Sequence, residues 1–149
     1  NRFYLKEKAE EILKTGEPVS VCYCDLDHLK YINDTFGHQE GDAYIRFFVR
    51  IVNENIREED VFARIGGDEF CVVTLGNLKD GQQIIERIRE ESDAFNCTSD
   101  KEYYVELSAG CTSVICRNGL VIADALREAD RALYEVKKLR RNSVKKIRL

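Results

Sequence analysis

The sequence predicts an α+β fold in which helices flank a central, mostly antiparallel sheet. Three observations carry this. Apolar residues recur at helical spacing in four separate segments. Between those segments lie short apolar runs of strand length, rich in Val, Ile, Cys and Phe. Two of the runs, Val61 to Ile65 and Phe70 to Leu75, are joined only by Gly66-Gly67-Asp68-Glu69. So short a link makes a hairpin and excludes a purely parallel sheet.

Leu5, Ala9, Ile12 and Leu13 are spaced for one face of a first helix, which Gly16-Glu17-Pro18 ends. Val19 to Leu26 is a near-continuous apolar run closing on Asp25-Leu26-Asp27, which reads as a buried strand with acids at its C-terminal end. A short polar stretch then leads to Gly37-His38. Tyr44, Phe47, Phe48, Ile51 and Val52 fall at i, i+3, i+4, i+7 and i+8, the apolar face of a second helix. In the hairpin that follows, Gly66 and Gly67 are expected to supply the positive φ of a tight turn. Ile84, Ile85, Ile88 and Phe95 mark a third helix, and Tyr103 to Cys111 a further strand. Ile122, Ala125, Leu126, Ala129, Leu133 and Val136 mark a last helix, with Val144 to Leu149 as a short final strand.

The 149 residues fit one domain spanning positions 1–149. A first residue that is Asn rather than Met leads us to expect a piece of a longer, multidomain protein with a sensor or regulatory domain before it. Hydrophobic residues at 44% and charged residues at 34% describe a globular chain and exclude a disordered one. No apolar run approaches the ~20 residues of a membrane-crossing helix, so no membrane contact is expected of this domain. The net charge of -4 is unevenly spread: residues 137–149 hold seven Lys or Arg and no acid. That basic stretch reads either as a solvated tail or as a phosphate-binding corner; the acidity of the rest argues against a nucleic-acid surface. None of the six cysteines forms a Cys-x-x-Cys pair, so zinc has little support. Cys22, Cys24, Cys71 and Cys111 lie in strand-like apolar segments and are expected as reduced core residues, in a cytoplasmic protein or the cytosolic part of a membrane-anchored one.

The acids carry the chemistry. Asp25 and Asp27 end one buried strand; Asp68 and Glu69 sit at the hairpin tip. If the two strands are neighbours, the carboxylates converge at one end of the sheet. Clustered carboxylates repel unless a cation neutralises them, and a site of carboxylates without His or Cys suits a hard ion such as Mg²⁺. Asp27 is open to a second reading, as the N-cap of a following helix. Gly66 and Gly67 are open to two as well: an ordinary tight turn, or a place where backbone approaches a ligand closely.

Gly66-Gly67-Asp68-Glu69-Phe70 is the signature of the GGDEF family of diguanylate cyclases. The resemblance extends over almost the whole chain. Asp25-Leu26-Asp27-His28-Leu29-Lys30 resembles the family's Asp-x-Asp-x-Phe-Lys, with Leu29 in place of Phe. Asn33-Asp34 and Gly37-His38-Gln39-Glu40-Gly41-Asp42 match its next two blocks, and Ala63-Arg64 precedes the signature as in the family. Ala129-Asp130-Arg131-Ala132-Leu133-Tyr134 also matches, with Lys137 and Arg141-Asn142 following at family spacing. Two departures stand out. The Asp-x-Leu-Thr turn that often precedes Asn1-Arg2 is absent, and Arg140 replaces a Gly that would permit a left-handed helix end.

The resemblance implies a palm-like fold similar to that of nucleotidyl cyclases and some polymerases. It also implies an enzyme, a nucleotidyltransferase that condenses two GTP into the bacterial second messenger cyclic di-GMP and two pyrophosphates. By its pattern Asp25, the Leu26 carbonyl, Asp68 and Glu69 look like ligands of two Mg²⁺ ions, with Mn²⁺ the alternative metal. Glu69 looks equally like the group that activates the attacking 3′-hydroxyl, and Asp25 and Asp68 share the catalytic assignment. Asn33 and Asp42 resemble the guanine readers, Lys137 and Arg141 the residues that hold the triphosphate, and Gly66 and Gly67 lie beside the substrate. Arg57 and Asp60 match the family's inhibitory Arg-x-x-Asp, five residues before the signature, which binds the product. Catalysis would need a homodimer, each subunit carrying one GTP.

The residue chemistry agrees. A carboxylate such as Asp42 can accept from guanine N1–H and N2–H₂, which adenine lacks, and an amide such as Asn33 can donate to a guanine acceptor. Two divalent cations with Lys137 and Arg141 nearly offset the charge of GTP and three carboxylates, as phosphoryl transfer requires. Two rival readings are a non-catalytic module that binds cyclic di-GMP or GTP, and an enzyme making a mixed cyclic dinucleotide. The intact acids argue against the first and Asp42 against the second.

Overall fold

The computed structural model describes residues 2–115 and 122–148, with the side chains of the last helix from Ala123 to Leu139. Its elements run α1 (Arg2–Leu13), β1 (Pro18–Leu26), α2 (Leu29–Phe36), α3 (His38–Asn55), β2 (Val61–Arg64), β3 (Glu69–Leu75), α4 (Leu78–Thr98), β4 (Leu107–Ile115) and α5 (Ile122–Arg148). The four strands form one antiparallel sheet in the order β2-β3-β1-β4. The α+β architecture read from the sequence is therefore present.

β1 is central because it can be buried on both faces, and its side chains alternate between two cores. Cys22, Cys24 and Leu26 face α3 and α4 with Phe70, Val72 and Leu107; Phe48 of α3 packs at a tilt against Phe70 there, with ring centres 4.9 Å apart. Val19, Val21 and Tyr23 face the opposite way, with Cys71 and Val73, onto Leu5 and Ala9 of α1 and Ala125, Ala129 and Leu133 of α5. Asp25 comes next in that second alternation. The strand thus aims a carboxylate toward α5 at the end of a wholly apolar row.

Four expectations need correction. The polar stretch after β1 is a helix, α2, held down by Leu29 and Ile32. β4 begins at Leu107 rather than Tyr103, because the preceding residues are otherwise engaged. Tyr103 packs on Phe36 and Tyr44, and the Val105 backbone bonds both ends of the Asn96 side-chain amide. The expected strand at Val144 to Leu149 is absent as far as Arg148: α5 continues through it, with good helix formers and no Gly or Pro to stop it (Leu149 lies outside the described residues). Finally, Gly66 and Gly67 do not adopt positive φ; among the described glycines only Gly16, Gly37 and Gly76 do. No described helix is long and apolar enough to cross a membrane.

Candidate functional site

The acid-bearing end of the sheet is assembled by register. Asp25 pairs with Glu69 of β3 on one side and Ser108 of β4 on the other. Directly opposed residues share a face, so these three side chains and α5 border one space. Asp25 is 3% exposed. One of its carboxylate oxygens, Oδ2, is ion-paired with Lys137 Nζ of α5. The other, Oδ1, is buried with no hydrogen-bond partner among the described residues. A buried carboxylate oxygen left without a donor costs about 1–3 kcal/mol, so this is a place where a cation would be stabilised.

The hairpin tip is fixed against the end of β1. The Leu26 N–H donates to the Asp68 carbonyl at 3.0 Å, and the Ile65 N–H to the Glu69 carbonyl at 2.8 Å. Arg64, which the sequence reading left without a role, reaches back over the loop. Its Nε donates to the Gly66 carbonyl at 3.0 Å and a terminal nitrogen to the Gly67 carbonyl at 2.7 Å. A Cβ at Gly67 would meet nothing within 4 Å, and one at Gly66 only Glu69. Neither internal crowding nor positive φ explains the two glycines, which leaves open space over the loop. Asp68 and Glu69 are half-buried. Among the described residues no three acids, His or Cys close into a ready metal cage.

Asp27 is not the cap of α2. The cap position is His28, in left-handed conformation at φ 64°, with no side-chain cap bond. The Asp27 carboxylate instead accepts from the Ser108 hydroxyl at 2.9 and 3.1 Å. Tyr44, which the sequence marks only as a core residue, donates to the Asp27 and Glu106 carbonyls at 3.0 and 2.8 Å. Burial pushes its hydroxyl pKa upward. Tyr44 thereby ties α3 to the point where the chain leaves β1 for α2.

α2 and α3 form a helical hairpin about Gly37, whose N–H donates to the Asn33 carbonyl at 3.0 Å. Gly41 is buried where the two helices meet, and a Cβ there would overlap the Asn33 side chain. Asn33 is half-buried and Asp42, next to Gly41, is exposed. The two candidate base readers therefore sit together. Beside them, Lys101 Nζ bonds Glu40 at 2.9 Å and the Tyr103 hydroxyl donates to Glu40 at 2.7 Å. Those two donors, Tyr103 first, hold the Glu40 carboxyl below its usual range.

Arg57 and Asp60 lie apart from the acids, at the far end of β2. The Asp60 side chain is 1% exposed and accepts from the Arg57 N–H at 2.8 Å and from the Thr74 hydroxyl at 2.6 Å. Arg57 is 59% exposed; its guanidinium donates to Thr74 and the Leu75 carbonyl and lies 3.6 Å from Glu59. Asp60 closes the loop, and Arg57 is displayed on it. Arg141 is one helical turn beyond Lys137 on α5, and its side chain lies outside the described residues.

An antiparallel α+β domain whose central strand ends in a buried carboxylate, beside a Gly-Gly-acid-acid hairpin, defines the class. A model of the diguanylate cyclase GGDEF domain matches residues 1–143, and the chain belongs to that family. It is 35% identical over 150 residues to the probable diguanylate cyclase DgcT of Escherichia coli strain K12, covering 97% of this chain and 32% of that protein. It therefore spans about a third of that curated relative. The active GGEEF domain of a diguanylate cyclase from Vibrio cholerae superposes with TM-score 0.78 at 28% identity, over 89% of this chain and 85% of that one. The GGDEF domain of DgcB from Caulobacter crescentus, solved in complex with c-di-GMP, superposes with TM-score 0.78 at 26% identity, over 92% and 82%.

Proposed function

We propose that this domain condenses two GTP into cyclic di-GMP and two pyrophosphates as a homodimer, one GTP on each subunit. The observation that carries the reading is Asp25: a buried carboxylate, in register with Glu69, with one oxygen on Lys137 and the other unpartnered. An all-oxygen donor set with an orphaned buried oxygen fits a hard divalent ion. Asp25, the Leu26 carbonyl, Asp68 and Glu69 are the residues that would hold two Mg²⁺, or Mn²⁺ in their place. When bound, such ions activate an attacking hydroxyl and stabilise a leaving oxygen.

The chain's own residues do the rest. Lys137 exchanges Asp25 for the triphosphate, joined by Arg141 one turn on. Gly66 and Gly67 leave room for the nucleotide over the hairpin, and Arg64 keeps that loop in shape. Asn33 and Asp42 read guanine. Each 3′-hydroxyl attacks the α-phosphate of the other GTP. Product returns to Arg57, which Asp60 holds outward by closing its loop. It inhibits by holding two domains in a non-productive arrangement, since the four residues of β2 separate this loop from the acids by roughly 13 Å at ~3.3 Å per residue.

One observation favours a second reading, a module that binds nucleotide without turnover: Lys137 already neutralises Asp25. Asp68→Asn separates the two. In the catalytic reading, turnover with Mg²⁺ and GTP falls at least ~100-fold while the unfolding midpoint stays, because a half-buried loop acid contributes little to the core. Near-normal turnover by Asp68→Asn removes the metal assignment, and a parent that binds GTP without turnover supports the second reading.

A further inference from the structure

Cys22 and Cys111 are directly opposed on β1 and β4, the central and edge strands of the sheet. Opposed Cα atoms on antiparallel strands are about 4.5–5.5 Å apart, inside the roughly 4.4–6.8 Å span that a disulfide accepts. Both side chains point to the α4 face, and their sulfurs lie 2.6 Å apart, close enough to share a hydrogen bond in either direction. The two differ in access. Cys22 is 1% exposed, wedged beneath α4 where Gly81 leaves space for it and for Ser20. Cys111 is half-buried and forms part of the wall of a cavity of about 370 Å³ between α4, β4 and α5. Gln82, Glu86 and Arg89 of α4 and Gly110 of β4 line the same cavity. Arg89 Nε is buried there with no hydrogen-bond partner among the described residues.

We propose that Cys22 and Cys111 are an oxidisable dithiol: a small peroxide entering this cavity is reduced at Cys111, and Cys22 resolves the product to a cross-strand disulfide. The chemistry favours this order. The shared hydrogen bond, then the Arg89 guanidinium, favour the Cys111 thiolate, although burial opposes it. The same contact, with burial, pushes the Cys22 thiol up. The thiolate is the nucleophile, and access decides which thiol meets the oxidant. Cys111 sulfur attacks one peroxide oxygen, the O–O bond breaks, and hydroxide leaves to be protonated as water. Cys111 is left as a sulfenic acid. Cys22 sulfur then attacks Cys111 sulfur; the S–S bond forms, the S–O bond breaks, and the hydroxyl leaves with the Cys22 proton as water. Two thiols lose two electrons, and one hydrogen peroxide becomes two waters. The other described thiols lack this arrangement: Cys24 and Cys71 are fully buried, while Cys97 is exposed.

The test uses the whole chain carrying Cys97→Ser and Cys116→Ser, treated with one equivalent of hydrogen peroxide. Remaining thiols are alkylated in denaturant and the peptides mapped by mass. The expected result is a loss of roughly 2 Da, one cross-link joining the Cys22 and Cys111 peptides, and reversal by dithiothreitol. With Cys22→Ser added, Cys111 should stop at a sulfenic acid that dimedone traps. Four fully alkylated thiols after peroxide, or a cross-link between any other pair, would overturn the assignment. The readout does not depend on nucleotide turnover, so it stands or falls apart from the proposed activity.

Discussion

Gly41→Ala adds one methyl group at the crossing of α2 and α3, where a Cβ overlaps the Asn33 side chain. Two stability terms then oppose each other. Alanine in place of glycine within α3 gains about 1 kcal/mol of helix propensity, and overpacking costs about 1–3 kcal/mol. Asn33 is only half-buried, so its amide can swing toward solvent and relieve most of the second term. The unfolding midpoint should therefore change little. Guanine recognition should not escape. An amide that has left its place forfeits a hydrogen bond worth about 0.5–1.5 kcal/mol, so GTP affinity falls roughly two- to thirteenfold. Calorimetric titration with GTP and Mg²⁺ reads this directly. Asn33→Ala should lose a similar amount, and the double variant no more than either, because both remove one interaction. Parent-like affinity in Gly41→Ala, or additive losses in the double variant, would refute the idea that Gly41 exists to admit a base-reading Asn33.

Arg57→Ala should abolish most binding of cyclic di-GMP and let product accumulate further, with the initial rate unchanged. Calorimetry beside full progress curves checks both, and equal product affinity in variant and parent removes the site. Glu40 supplies a pH dependence. Its carboxyl is depressed by Tyr103 and Lys101 in the folded chain, so its contribution to stability is present above the unfolded pKa. That contribution is lost as pH falls through the lower, folded value. Denaturant midpoints should thus drop below about pH 4.5 more steeply in the parent than in Tyr103→Phe, the ordinary carboxyl value being 4.5. Equal acid sensitivity would show that the Tyr103 contact contributes nothing.

The long elements were legible because their burial is periodic: the face of α3 and the apolar run of β1 appear in the chain as they do in space. The convergence of Asp25 with Glu69 was legible only as a condition, because the hairpin pairs β2 with β3 and the pairing of β3 with β1 is set by the folded sheet. α2 was hidden because it is one short helix whose exposed residues are all polar or aromatic. Its signal was the spacing Leu29, Ile32 and Phe36, read over too polar a background. The start of β4 was missed because Tyr103 and Val105 are apolar for another reason, packing on the α2–α3 hairpin and on α4. Arg64 and Tyr44 could not be assigned from spacing, because each acts by reaching a backbone carbonyl that only the folded chain brings near. Asp60, expected as a ligand contact, accepts hydrogen bonds from its own loop and from β3.

The central claim is that the acids around Asp25 make one specific product. Incubating the domain with Mg²⁺ and GTP, and separately with ATP, then weighing the products by mass spectrometry, tests it most directly. Cyclic di-GMP and pyrophosphate are expected from GTP, little or no product from ATP because Asp42 lacks its donors there, and at least ~100-fold less product from GTP with Asp68→Asn. Unchanged GTP at concentrations where two domains associate, or equal use of ATP, would contradict it.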